Sequence, residues 1–135
     1  MKALVRVLSF QYSNGYAPRT WLHGKILDKN FSDNHVWIAY TVHRLVMEAG
    51  DVGLLERMIP YNDKTEGSLY EHLWRSVQFY DTDRGEHGLL KFRSGDWNDC
   101  LSEVGPKGKG ESVWLSMAWV GACRRLAEIA RLTNR

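Results

Sequence analysis

Two cysteines, Cys100 and Cys123, are all that this chain of 135 residues carries, and they form neither a CxxC pair nor a cluster with adjacent histidines. That excludes a disulfide-stapled secreted scaffold and leaves two reduced thiols in or near a core. Charge of one sign is scarce too. The net charge is +2, with the basic residues scattered rather than gathered in a stripe, which argues against nucleic acid and for a neutral or weakly charged ligand. No apolar run approaches a membrane span, and the opening Met1-Lys2-Ala3-Leu4-Val5-Arg6-Val7-Leu8, charged twice, lacks the apolar stretch of a signal peptide. These absences predict a cytoplasmic protein that touches neither membrane nor nucleic acid. Internal repeats, heptads and low-complexity tracts are missing as well.

What is present is one domain's worth of chain, with 44% hydrophobic and 25% charged residues, enough for a core. Apolar spacing predicts helices joined by long loops. Ser32 or Asp33 can cap a helix whose Val36, Trp37, Tyr40, Leu45 and Val46 recur at three and four, and which stops at Gly50. A short helix from about Val52 to Met58 should end at Pro60. Ser68 can cap another, with Leu69, Leu73, Val77 and Tyr80 on one face and an end near Gly85. The last is expected from about Glu111 to Leu132, with Val113, Trp114, Met117, Val120, Leu126 and Ile129 facing inward. Only Ala3 to Tyr12 and Leu89 to Phe92 compete as strands. The fold class expected is therefore all-α. The long connections, Gln11 to Asn30, Tyr61 to Gly67 and Gly85 to Gly110, carry the polar motifs.

The densest motif is Gly95-Asp96-Trp97-Asn98-Asp99-Cys100-Leu101, followed by Gly108-Lys109-Gly110-Glu111-Ser112-Val113-Trp114-Leu115. An indole beside carboxylates suits a sugar site, because the flat face of Trp covers the C–H face of a pyranose while short polar groups bind its hydroxyls. A calcium loop is the competing reading. Counted from Asp96, however, its fifth position is Cys100 and its twelfth Lys107, so the ligands are wrong and no metal is expected. An Asx-turn, with the side chains satisfying only their own backbone, is the bland alternative.

Five blocks in order now carry a resemblance: Tyr16-Ala17-Pro18-Arg19-Thr20-Trp21; Phe31-Ser32-Asp33-Asn34 with Trp37-Ile38; Leu69-Tyr70-Glu71-His72; His87-Gly88-Leu89; and the GDWND motif with its GESVWL continuation. Together they resemble the inverting glycoside phosphorylases of glycoside hydrolase family 94. The resemblance implies a partial (α/α)6 barrel with its active site on long loops, of which residues 1–135 would supply a little under half of the ring. It also implies phosphorolysis of a β-linked disaccharide or oligosaccharide to an α-sugar 1-phosphate with inversion, and a possible homodimer in the full-length enzyme. Inorganic phosphate is a co-substrate there, and no cofactor is expected.

By that resemblance Asp99, the second Asp of the motif, is the general acid, Trp97 lines the sugar site, and Asp96 and Asn98 shape the loop. Asp33 can cap its helix and also hold hydroxyls of the sugar at the cleaved bond. Asn34 stands where relatives often carry a second Asp, and Asp28-Lys29-Asn30 supplies no Arg. Arg19, on a fixed turn after Pro18, suits hydroxyl or carboxylate recognition or buttresses the loops. Arg93 is the local candidate for holding phosphate, with a solvated surface position as the alternative; the family's other phosphate contacts would lie C-terminal to residue 135. Tyr70, Glu71, His72 and His87 read as structural hydrogen bonders. Glu111 either caps the last helix or backs up Asp99. Two other function classes stay open: a sugar-binding module without catalysis, and an inverting hydrolase, which needs a second carboxylate such as Glu103 or Glu111 facing Asp99.

Overall fold

The first local signal to act is a helix where alternation suggested a strand. Residues Lys2–Leu8 form α1, with the Val5 amide bonded to the Met1 carbonyl at 3.0 Å. Leu8 is fully buried, and Met1, Leu4 and Val5 pack beside it, so the spacing of four outweighs the Val5/Val7 alternation. The computed structural model describes residues 1–27, 30–101 and 103–135, with the backbone alone at residue 99.

Three further helices make the frame: α2 (Asn34–Ala49), α3 (Leu69–Gln78) and α4 (Val113–Leu132). Helix α2 ends where expected, because Gly50 adopts φ 62° and returns its amide to the Val46 carbonyl at 2.9 Å. Helix α3 opens with a reciprocal cap. The Ser68 hydroxyl accepts from the Glu71 amide at 3.2 Å while the Glu71 carboxylate accepts from the Ser68 amide at 2.7 Å. Helix α4 is capped by Ser112 Oγ, which accepts from the Leu115 amide at 3.0 Å. Helix α2 packs against both α3 and α4, so its inner residues Val36, Ala39, Val42 and Val46 form the centre of the core.

Short antiparallel ribbons interrupt the all-helical expectation: β1 (Trp21–Leu22) with β2 (Lys25–Ile26), β3 (Met58–Pro60) with β4 (Glu66–Ser68), and β5 (Leu90–Lys91) with β6 (Glu111–Ser112). The last pair coincides with the Leu89 to Phe92 candidate and shifts the start of α4 to Val113, since Glu111 and Ser112 are held by Lys91 and Leu90. The expected helix near Val52 is a 3-10 turn over Val52–Glu56. Helix α3 stops at Gln78 and passes into a second such turn, Phe79–Asp81, instead of running to Gly85.

A polar cluster ties the first long loop to α3. Gln11 is fully buried; its Nε2 donates to the Gly15 and His72 carbonyls, and the His72 ring bridges Gln11 Oε1 and the Ile59 carbonyl. Gly15 has φ +94°, and a Cβ there would lie 2.1 Å from the Arg75 carbonyl oxygen, so only glycine lets the loop close on α3.

The inward face of α4 differs from the sequence expectation. Leu115, Ala122 and Ile129 are buried, whereas Val113, Met117 and Val120 are 60%, 69% and 45% exposed. Trp37 on α2 is also exposed, and His35, Ile38 and Ala39 take the buried positions around it. The helix carries apolar residues on more sides than its neighbours here can cover. Among the described residues no helix is long and apolar enough to cross a membrane. With that much apolar surface in water, the isolated chain is expected to self-associate or bind a hydrophobic dye. Light scattering after size-exclusion chromatography checks this; a monodisperse monomer with a sharp cooperative melt would count against it.

Candidate active site

The FSDN and GDWND blocks meet at one carbonyl. The Ser32 amide and hydroxyl both donate to the Gly95 oxygen, at 2.8 and 2.9 Å, and Phe31 pairs with Arg93 in an isolated antiparallel bridge. A Cβ on Gly95 would lie 2.6 Å from the Phe31 ring, so the glycine at the head of the motif is where that ring lies. The YAPRTW block joins the same junction. Arg19 lies 4.4 Å over the Phe31 ring and donates to the Asp96 carbonyl at 3.4 Å, while Asn34 Nδ2 donates to the Ala17 carbonyl at 3.2 Å.

Asp96 is 3% exposed and both its oxygens are taken: Oδ1 by the Asn98 amide at 2.9 Å, Oδ2 by the Ser112 hydroxyl at 2.7 Å. Asn98 repeats the pattern, its Oδ1 accepting from the Cys100 amide at 3.2 Å. These consecutive Asx-turns deliver the chain into a 3-10 turn over residues 99–101. The side chain of Asp99, the acid suggested by sequence, lies outside the described residues.

Asp33 stands at the N-cap of α2 without capping it. Its Oδ2 instead accepts from Trp37 Nε1 at 3.1 Å, and Oδ1 is buried with no hydrogen-bond partner among the described residues. Burial raises its pKa above the ordinary carboxylate range, an effect that the Trp37 hydrogen bond and the Arg19 charge partly offset. The indole of Trp37 begins an aromatic row, with Trp114 at 6.1 Å and Trp97 a further 5.7 Å on from Trp114. Trp97 is 54% exposed, over a cleft of about 290 Å³ lined by Asp96, Trp97, Asn98, Leu101, Glu111 and Trp114.

Arg93 is drawn into the scaffold: its Nε pairs with Asp83 Oδ2 at 2.7 Å, its Nη1 reaches Asn30 Oδ1, and its guanidinium lies 5.1 Å from the Phe79 ring centre. Beneath it His35 is fully buried and stacks on Phe79 at 4.3 Å, and burial drives its pKa down to about 3. Glu111 neither caps α4 from within nor stands free, because its carboxylate accepts from the His87 amide and pairs with His87 Nδ1, each at 2.9 Å. Sequence reasoning missed Ser112, Asp83 and the wall made by Trp37 with Trp114. Ser112 gave a local signal, a hydroxyl just before an apolar helical run, and so did Trp37, one helical turn after Asp33.

The model of the glycosyl hydrolase 94 superfamily catalytic domain matches residues 12–135. The chain belongs to the glycosyl hydrolase 94 superfamily. Similar family members include a solabiose phosphorylase of Paenibacillus borealis, 43% identical over 92% of this chain and 16% of its own length. An N,N'-diacetylchitobiose phosphorylase of Vibrio proteolyticus is 33% identical over 84% of this chain and 14% of its own. A 3-O-beta-D-glucopyranosyl-beta-D-glucuronide phosphorylase of Paenibacillus borealis is 30% identical over 91% and 17% respectively. The chain thus spans about one sixth of the length of these curated relatives.

The buried Asp33 has a measurable consequence. Its pKa is higher folded than unfolded, so the folded state holds the proton more tightly, and the stability this gives is full below about pH 4 and lost as pH rises through the folded value. Compared with Asp33→Asn, which does not titrate, wild type is expected to lose relative stability between pH 4 and 7. Urea unfolding of both proteins across that range checks it; a flat or opposite trend would refute the raised pKa.

Proposed function

We propose that this chain is part of the (α/α)6 catalytic domain of an inverting glycoside phosphorylase, which cleaves a β-linked disaccharide or oligosaccharide with inorganic phosphate. The observation that carries this reading is the half-paired carboxylate of Asp33 behind an indole wall, hydrogen-bonded through Ser32 and Gly95 to the turn that bears Asp99. A buried acceptor with a free lone pair suits a sugar hydroxyl, and the exposed face of Trp97 suits a pyranose ring. The family match and the names of the three relatives given above, each a phosphorylase, support the reaction class.

In this reading Asp99 protonates the glycosidic oxygen as the bond to the anomeric carbon breaks. Phosphate, already an anion at neutral pH, attacks that carbon from the opposite face and leaves an α-sugar 1-phosphate. In reverse, the same carboxylate takes the proton of the acceptor hydroxyl. Arg19 is assigned to the junction, where it spans Phe31 and Asp96. Arg93, weighed from sequence as a phosphate donor, is assigned to bracing the loop, since Asp83 already meets its charge. Hydrolysis would need a second carboxylate to activate water, and Glu111 is bound by His87.

The test uses the full-length enzyme that carries this segment. Disaccharide cleavage is expected only with phosphate present, giving the α anomer of the sugar 1-phosphate. Asp99→Asn should lower kcat by about 10²–10⁴, or roughly 3–5 kcal/mol of barrier, with little change in KM. Release of free sugar without phosphate, or full turnover by Asp99→Asn, would overturn the reading.

A further inference from the structure

Ser112 is 5% exposed and sits between the N-terminus of α4 and the GDWND loop. Its hydroxyl has one proton, and at 2.7 Å from Asp96 Oδ2 that proton is donated to the carboxylate. The oxygen's lone pair is then free to accept from the Leu115 amide at 3.0 Å, a donor that the first turn of α4 cannot satisfy by itself. One polarised line therefore runs from the positive end of a 20-residue helix through Ser112 to Asp96. Asp96 Oδ1 continues it to the Asn98 amide, and Asn98 Oδ1 to the Cys100 amide.

The ladder brackets residue 99. Buried as it is, the Asp96 carboxylate needs both its donors: Ser112 fixes Oδ2, and Oδ1 accepts from the Asn98 amide and so closes the first Asx-turn. We propose that Ser112 is a positioning residue for the acid: it transmits the field of the α4 N-terminus to Asp96 and so fixes the turn that presents Asp99. This rests on the role proposed above for Asp99. Ser112 does not touch substrate; its effect reaches the proton transfer through Asp96.

Three substitutions separate this role from helix capping. Ser112→Thr keeps both the cap and the donor. Ser112→Asp keeps an acceptor for the Leu115 amide but sets a second carboxylate against Asp96. Ser112→Gly removes the donor to Asp96 and the acceptor for Leu115 together, but glycine is well tolerated at N-caps, so the helix itself loses little. In the full-length enzyme, kcat and KM are measured for phosphorolysis of the β-linked disaccharide and of a β-glycosyl fluoride, whose leaving group needs little protonation.

The Thr variant is expected within about threefold of wild type on both donors. The Asp and Gly variants should lose about 10- to 100-fold in kcat on the disaccharide, with KM little changed, and only a few-fold on the fluoride. If Ser112→Asp does not fold, as a thermal melt shows, Ser112→Gly carries the comparison. Equal losses on both donors, or a wild-type rate in the Asp or Gly variant, would overturn the positioning role. Asp99→Asn is run alongside. If it keeps the disaccharide rate, the acid assignment falls and this inference with it; if it loses that rate while the Ser112 variants do not, only this inference falls.

Discussion

One carbonyl oxygen holds the site together. Gly95 O takes two donors from Ser32, 63 residues earlier in the chain, and both bonds are buried, where leaving either donor unmade would cost about 1–3 kcal/mol. The contact needs glycine at residue 95, because the Phe31 ring occupies the place where a side chain there would be. From this point the Asp96 turn, the Arg19 bridge and the start of α2 are all oriented. The Tyr80 hydroxyl adds a support from below, donating to the Ser32 carbonyl at 2.7 Å.

The frame under this junction is a mixture of ordinary apolar packing and hydrogen-bonded polar groups. Helices α2, α3 and α4 supply the apolar part. The Gln11–His72 cluster and the Arg93–Asp83 pair hold the loops on it. Such groups contribute little net energy but penalise any arrangement that leaves them unpaired in the interior, so they select one loop path among several. The site is accordingly built from loops, yet each loop is pinned at both ends to a helix.

Local signals were legible in the sequence where one residue decides the outcome. Ser68 as a cap, Gly50 as a stop, and the Leu69, Leu73, Val77 face of α3 all act as read. The face of α4 was not legible, because Val113, Met117 and Val120 obey helical spacing as well as Leu115, Ala122 and Ile129 do, and periodicity cannot say which side finds a neighbour. Residues Ala3 to Tyr12 were misread for a related reason: over so few positions alternation and a spacing of four share members. The motif blocks were visible as blocks, but their junctions cross 63 to 77 residues of chain and left no trace in spacing. Trp37, one helical turn from Asp33, and Ser112, 16 residues from Asp96, went unnoticed as their partners for another reason, since each reads in the sequence simply as part of an apolar helix.

The buried imidazole of His35 makes this floor acid-labile. An unfolded histidine takes up a proton near pH 6.5, whereas His35, desolvated and close to the Arg93 charge, resists until about 3. The unfolded chain thus binds more protons across that interval, so the contribution is complete above pH 6.5 and erodes steadily with acidification below it. An aromatic stack that stays uncharged under Arg93 thereby ties the loops above it to neutral surroundings, and acidification would loosen the junction of Phe31, Ser32 and Gly95 from underneath.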